Sequence, residues 1–222
     1  MRLPFIALAV PVSLIAAQAQ ASEDSQHWET LNVTVNLPDN FKLNSETIAR
    51  TGDARGFYEI EQNLMAGKKL NKTVTVWLGY TFNPTYNQGN FRAREHRFRQ
   101  QVNFDNVAQI GKVKLGGRIR TEERWREGQT GTGWRLRPQV KASMPFIGKS
   151  TFTVSHESFI NLNTTGFQTV NGYDRMRNAA SVSVPLAKKV SVDVGYLNQH
   201  GFVRNGTDSS DNVLTLGLSA TF

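Results

Sequence analysis

The sequence predicts an all-β fold, an antiparallel up-and-down transmembrane β-barrel of about 10 to 12 strands with an Arg/Glu-rich lumen. Three observations predict it. A short apolar leader opens the chain, polar and apolar residues alternate with period two along most of the remaining sequence, and Arg and Glu recur at i, i+2 and i+4 on one side of neighbouring segments.

The leader is residues 1–21, MRLPFIALAVPVSLIAAQAQA, with one basic residue, Arg2, an apolar run and an Ala19-Gln20-Ala21 ending. That is the pattern of a cleaved secretory signal, and the run is too short to span a bilayer. The chain therefore divides into a signal, 1–21, and a single barrel domain, 22–222. Its formal charge is +8, and loss of Arg2 with the leader leaves +7. There is no cysteine. An exported chain without disulfides must be stabilised by closure and packing, and thiolate chemistry and cysteine metal sites are excluded. The mean hydropathy of −0.41 describes a polar chain. A membrane strand nevertheless needs only about ten residues and shows lipid alternate side chains, so half of each strand can be polar.

Among the alternating segments, HWETLNVTVNL and FKLNSETIAR come first, then the stretch from Gly56 to Ala66, with Tyr58, Ile60, Gln62 and Leu64 on one face and Glu59, Glu61 and Asn63 on the other. Next come strands beginning near Val74, Glu95, Lys112, Trp134, Thr151, Asp174, Lys189 and Val213. LPDN, MAGKKLNK, DNVAQIGK, PFIGK and LAKK are compact connections. RTGDARG, NPTYNQGN, REGQTGTG, NTTGFQTVNG and GFVRNGTDSSDN are mostly longer and polar. Short turns at one rim and longer loops at the other are how outer-membrane barrels are built. Ten strands fit between Phe41 and Phe222, and the HWETLNVTVNL segment adds an eleventh. Because bacterial single-chain barrels have even counts, that segment either starts from the loop side by threading the lumen or leaves one strand hidden.

Alternation alone does not decide which face is lipid, since a soluble barrel alternates too. Three features decide it. Leu214, Leu216, Leu218, Ala220 and Phe222 share one face of the last strand, and the chain stops on an aromatic, as in strands recognised by the barrel-assembly machinery. Trp77 apart, Tyr80, Phe82, Phe104, Trp125, Trp134, Phe146 and Tyr196 lie near segment ends, as interfacial girdles require. The charges are Arg-rich, and Arg pairs with carboxylates better than Lys does. Charges therefore point inward.

The predicted lumen network is Glu46, Glu59, Glu61, Glu95, Arg97, Arg99, Arg118, Arg120, Glu122, Arg124, Arg135, Arg137, Lys141, Glu157, Arg175, Arg177 and Asp193. Adjacent strands lie about 4.8 Å apart, so these groups reach one another across strands. Basic residues exceed acidic ones, and the surplus must face water or bind an anion.

The run from about Trp28 to Phe222 resembles the bacterial barrel family called domain of unknown function 2490. The resemblance rests on Glu95-His96-Arg97 with Gln100-Gln101, Arg118-Ile119-Arg120-Thr121-Glu122-Glu123-Arg124 and Arg135-Leu136-Arg137. Glu157-Ser158-Phe159, Asp174-Arg175-Met176-Arg177 and Gly195-Tyr196-Leu197 support it. It implies a barrel in the outer membrane and carries over no catalytic residue.

The expected function is an outer-membrane barrel, either structural or a narrow, anion-preferring, porin-like path. An outer-membrane lipid-modifying enzyme and a soluble periplasmic binding barrel are the alternatives. Against an enzyme, Ser155-His156-Glu157 places His156 on the face opposite the other two, so this triplet cannot act as nucleophile, base and orienter. His27, His96 and His200 lack a partner motif. No cofactor or metal is expected: Thr207-Asp208-Ser209-Ser210-Asp211 has too few acidic ligands for a calcium loop. Expected partners are membrane lipid and lipopolysaccharide, the assembly machinery at Phe222, and a small anionic solute. The pI near 9.9 is that of many nucleic-acid binders, but export argues against nucleic acid.

Overall fold

A computed structural model describes residues 22–204 and 206–222; the leader lies outside the described residues. Eleven strands form one closed barrel: β1 (Ser22–Asn36), β2 (Phe41–Gly52), β3 (Gly56–Lys69), β4 (Val74–Asn87), β5 (Asn90–Ile110), β6 (Val113–Arg126), β7 (Gly133–Pro145), β8 (Thr151–Asn161), β9 (Gly172–Ala187), β10 (Val190–Gly201) and β11 (Ser209–Thr221). Each strand pairs antiparallel with its sequence neighbours, and β1 closes the ring against β11 in parallel, from Ser22↔Ser209 to Thr34↔Thr221.

The odd count has a simple origin. β1 starts at the loop rim and runs toward the turn rim, as β11 does, so the only bond pattern available between them is parallel. The barrel is the expected antiparallel one except at this one seam, where β1 joins the wall instead of threading the lumen. Phe222 fastens the seam: its backbone carbonyl accepts from the Asn36 backbone N–H at 2.8 Å, and its own N–H donates to the Thr34 carbonyl at 2.9 Å.

Two connections differ from expectation. NPTYNQGN is strand through Asn87 and turns at Gln88-Gly89, and DNVAQIGK continues β5 to Ile110. Cross-strand pairing satisfies more backbone groups than a solvated loop would, and it overrides the local Asn/Gly signal. The longer connections that remain, 127–132, 162–171 and 202–208, share one rim with 53–55 and Gln88-Gly89.

The faces separate as charge and hydropathy dictate. Leu31, Leu64, Leu78, Val140, Val194, Leu214, Leu216 and Leu218 point out and are exposed, while Arg and Glu fill the interior. Trp77 points inward, lying so close over Gly67 that the ring leaves no room for a β-carbon there. Only glycine fits beneath it. Tyr58 departs from the expected outward face. A register shift lets Arg50 face Glu59 and Thr51 face Phe57, so Tyr58 is the extra residue of a bulge and swings inward.

Candidate functional site

The interior is built around four buried glutamates, each serving two or three arginines, all from other strands except Arg97, which shares β5 with Glu95. Glu61 on β3 accepts from Arg99 at 2.7 Å, Arg50 at 3.1 Å and Arg97 at 3.3 Å. Glu95 on β5 takes Arg97 at 2.6 Å and Arg124 and Arg126 at 2.9 Å. Glu122 on β6 takes Arg135 at 2.5 Å, Arg137 at 2.8 Å and Arg99 at 2.9 Å. Glu157 on β8 takes Arg118 at 2.8 Å and Arg137 at 3.0 Å. Arg99 and Glu122 have no exposed surface. An ionised group so enclosed is tolerable only when its hydrogen-bonding capacity is nearly filled, and multiple guanidinium forks on each carboxylate do that.

These contacts join into a circuit that closes on itself. From Trp28 on β1 it passes to the Arg177 guanidinium, 4.7 Å from the indole, then to Phe159, 4.7 Å away, and on to Arg137, 4.3 Å from the Phe159 ring. Arg137, Glu122, Arg99, Glu61 and Arg50 continue it by ion pairs, and Arg50 returns to the Trp28 ring at 4.2 Å. Asn83 on β4 and Gln199 on β10 attach to the circuit through Arg97 and Arg177. At the loop rim, the segment 162–171 tucks Gln168 in to accept from Arg124 at 2.8 Å, and Phe167 lies beside Arg124 and Arg126.

The remaining predicted residues sit at the edges of this septum. Glu46 accepts from Asn63, and Glu59 pairs with Arg50. Arg120 reaches Gln101 at 2.5 Å and has no carboxylate within ion-pair distance among the described residues. Arg175 touches Asp174 only at 3.9 Å. Lys141 pairs with Asp105 near the turn rim, and Asp193 accepts from Ser219. Sequence reasoning missed Arg50, Trp28, Phe159 and Gln168. Phe159 shares the parity of Glu157 and Arg50 that of Glu46, so period two would have found both. Above the septum, toward the loop rim, adjoining clefts of about 350 and 400 Å³ are lined by Arg50, Arg55, Arg175 and Arg177 with Glu59.

The outer wall carries a second polar system. On β8 and β9, the His156 ring holds Asn178 Oδ1 at 2.7 Å through Nδ1 and Ser158 Oγ at 3.0 Å through Nε2, and Ser158 Oγ lies 2.9 Å from the Tyr173 hydroxyl. Ser155 and Glu157 point inward, so the contiguous triplet does not assemble. His156 meets different partners. Tyr173 reaches this face because the register shifts between Phe159 and Ile160, which reverses its parity relative to Arg175 and Arg177. Elsewhere outside, Tyr80 and Glu127 flank His96, and Tyr196 meets Asn212. In the loops, desolvation raises the Glu127 carboxyl, but hydrogen bonds and charge from Arg94 and His96 together outweigh it and hold the group below its ordinary value, and the Val203 N–H and His200 lower Asp208.

Comparison with known proteins identifies the family. The chain belongs to the family described as protein of unknown function DUF2490, whose model matches residues 25–210. It is 28% identical over 222 residues to an uncharacterised protein of Methylorubrum extorquens, covering 95% of each chain. The fold is similar to that of LpxR from Salmonella typhimurium, with a TM-score of 0.51 at 11% identity over 81% of this chain and 83% of that one.

Proposed function

We propose that this protein is an outer-membrane barrel whose lumen is closed, and which therefore serves through its wall and its loop-side mouth rather than as a diffusion channel. The observation that carries the reading is the closed circuit through Arg99 and Glu122, both without exposed surface. An eleven-stranded barrel is only moderately wider than the eight-stranded size that side chains fill, so arginines reaching from opposite walls can meet across it. The exposed leucines and valines outside, with charge inside, support lipid as the surrounding medium. Lipid and lipopolysaccharide are then its neighbours, and the strand ending at Phe222 is its handle for the assembly machinery. A second reading is favoured by one observation. The cleft of about 350 Å³ is lined by nine arginines, Arg55, Arg175 and Arg177 among them, against only Glu59, Glu61 and Glu95, which suits a small anionic solute, whereas Glu23, Asp24, Glu59 and Asp211 balance the four arginines of its neighbour.

Planar-bilayer recording tests closure: no conductance steps are expected at any voltage, and stable anion-preferring steps would overturn it. Extraction of the mature protein by salt or osmotic shock, without detergent, would overturn the membrane assignment.

A further inference from the structure

We propose that Ser158, His156 and Asn178 on the outer wall form the catalytic site of an ester hydrolase acting on long-chain esters of amphiphiles that lie against the barrel. The inference rests on the outer-membrane reading for its substrate and on geometry for its chemistry.

The three groups stand in the order that nucleophilic acyl transfer requires. Asn178 Oδ1 accepts the His156 Nδ1–H at 2.7 Å, which leaves the Nε2 lone pair directed at the Ser158 hydroxyl 3.0 Å away. Other outward histidines lack this arrangement among the described residues. His96 lies between Tyr80 and Glu127, His200 bonds Asp208, and His27 accepts a side-chain hydrogen bond only at its backbone carbonyl, so none of the three has a serine on one ring nitrogen and an orienting acceptor on the other. Position supplies the second argument. His156 and Asn178 line an apolar outer groove of about 550 Å³ between Val140, Ala142, Val154 and Ala180. Small side chains at Ala142 and Ala180 leave room in it for an alkyl chain along the wall. Ser158 lies just beyond that lining, 3.0 Å from the His156 ring, so an acyl chain in the groove would place its ester beside His156 and within reach of Ser158.

In the first step the Ser158 Oγ attacks the ester carbonyl carbon while its proton passes to His156 Nε2. Collapse of the tetrahedral intermediate breaks the bond to the alcohol oxygen, which takes that proton and leaves. Water then attacks the acyl-serine, gives a proton to His156 and releases the carboxylic acid, and His156 returns the proton to Ser158. One ester and one water thus become an alcohol and an acid. Tyr173, whose hydroxyl is 2.9 Å from Ser158 Oγ, is the donor placed to stabilise the oxyanion. Asn178 is a positioning residue.

The test uses the full mature barrel folded in detergent, treated with a long-chain alkyl fluorophosphonate and mapped by mass spectrometry. Label is expected on Ser158 and is lost in S158A and H156N. In parallel, fatty-acid release is measured from mixed micelles of phosphatidylethanolamine and from lipopolysaccharide micelles, and the arm that yields acid identifies the amphiphile. S158A should reduce release by more than about 1,000-fold. Asn178→Ala should lower kcat by at least about 100-fold with KM unchanged and with partial rescue by Asn178→Asp. Tyr173→Phe should lower kcat by about 100-fold. Heat-modifiable migration on gels confirms that each variant is folded. Absence of label, or acid from neither lipid, overturns the proposal. A membrane-resident protein without label overturns it alone, whereas label on a protein that salt washes from membranes overturns the outer-membrane reading and leaves the hydrolytic chemistry standing.

Discussion

Adjacent residues on β8 face opposite worlds: Glu157 points into the barrel, and His156 and Ser158 point out of it. Inside, a full charge is held by two arginines and a surrounding lattice of counter-charges. Outside, every group in the cluster is a hydroxyl, an amide or an imidazole. Both solutions satisfy polar atoms, but they fail differently. A charged lattice distributes each ion's compensation over several partners, so loss of one member strands others. A neutral chain loses one hydrogen bond at a time.

The largest expected effect breaks the inner lattice. Glu122→Gln leaves Arg99, Arg135 and Arg137 without their shared carboxylate, and denaturant unfolding in micelles should show a loss of about 3–5 kcal/mol. A cost near that of a single neutral hydrogen bond would erase the distinction between the two faces. Next, Leu216→Arg places a charge about halfway along β11 on the outer face, where it has no lattice to join. A loss of about 2–4 kcal/mol in lipid is expected, and an unchanged unfolding midpoint would mean that this face meets water. Trp28→Leu removes the ring beneath both Arg50 and Arg177 while keeping both charges, and should cost about 1–2 kcal/mol. Smallest of all, Arg120→Gln removes a buried cation whose one side-chain partner among the described residues is Gln101, and should change stability by less than about 0.5 kcal/mol. A large loss there would show that the surplus positive charge itself holds the septum.

Much of the inward face is legible in the chain because a strand's parity is strict. Once Arg118, Arg120, Glu122 and Arg124 are placed on one face, their neighbours across the sheet are fixed, and the inward set emerges without a structure. Parity is also where legibility stops. Tyr58 and Tyr173 each lie at a register shift, and nothing local announces the extra residue that turns one inward and the other outward. The outer cluster is hidden for a related reason. His156 and Ser158 are two apart in sequence, but Asn178 joins them only through the β8–β9 register, so a contiguous reading of Ser155-His156-Glu157 tests the wrong partners. The parallel seam needs a fact about chain direction that β1's own residues do not carry.

That seam sets the two ends of the folded wall apart. β1 begins at the rim from which the long connections rise, and β11 finishes at the opposite rim beside Asn36. A peptide grafted ahead of Ser22 would therefore be displayed with the long loops, and one grafted after Phe222 would hang from the tight turns. In an even-stranded barrel with antiparallel closure both grafts emerge together. Here the two termini of the wall mark opposite rims, and two tags on one molecule would report its orientation.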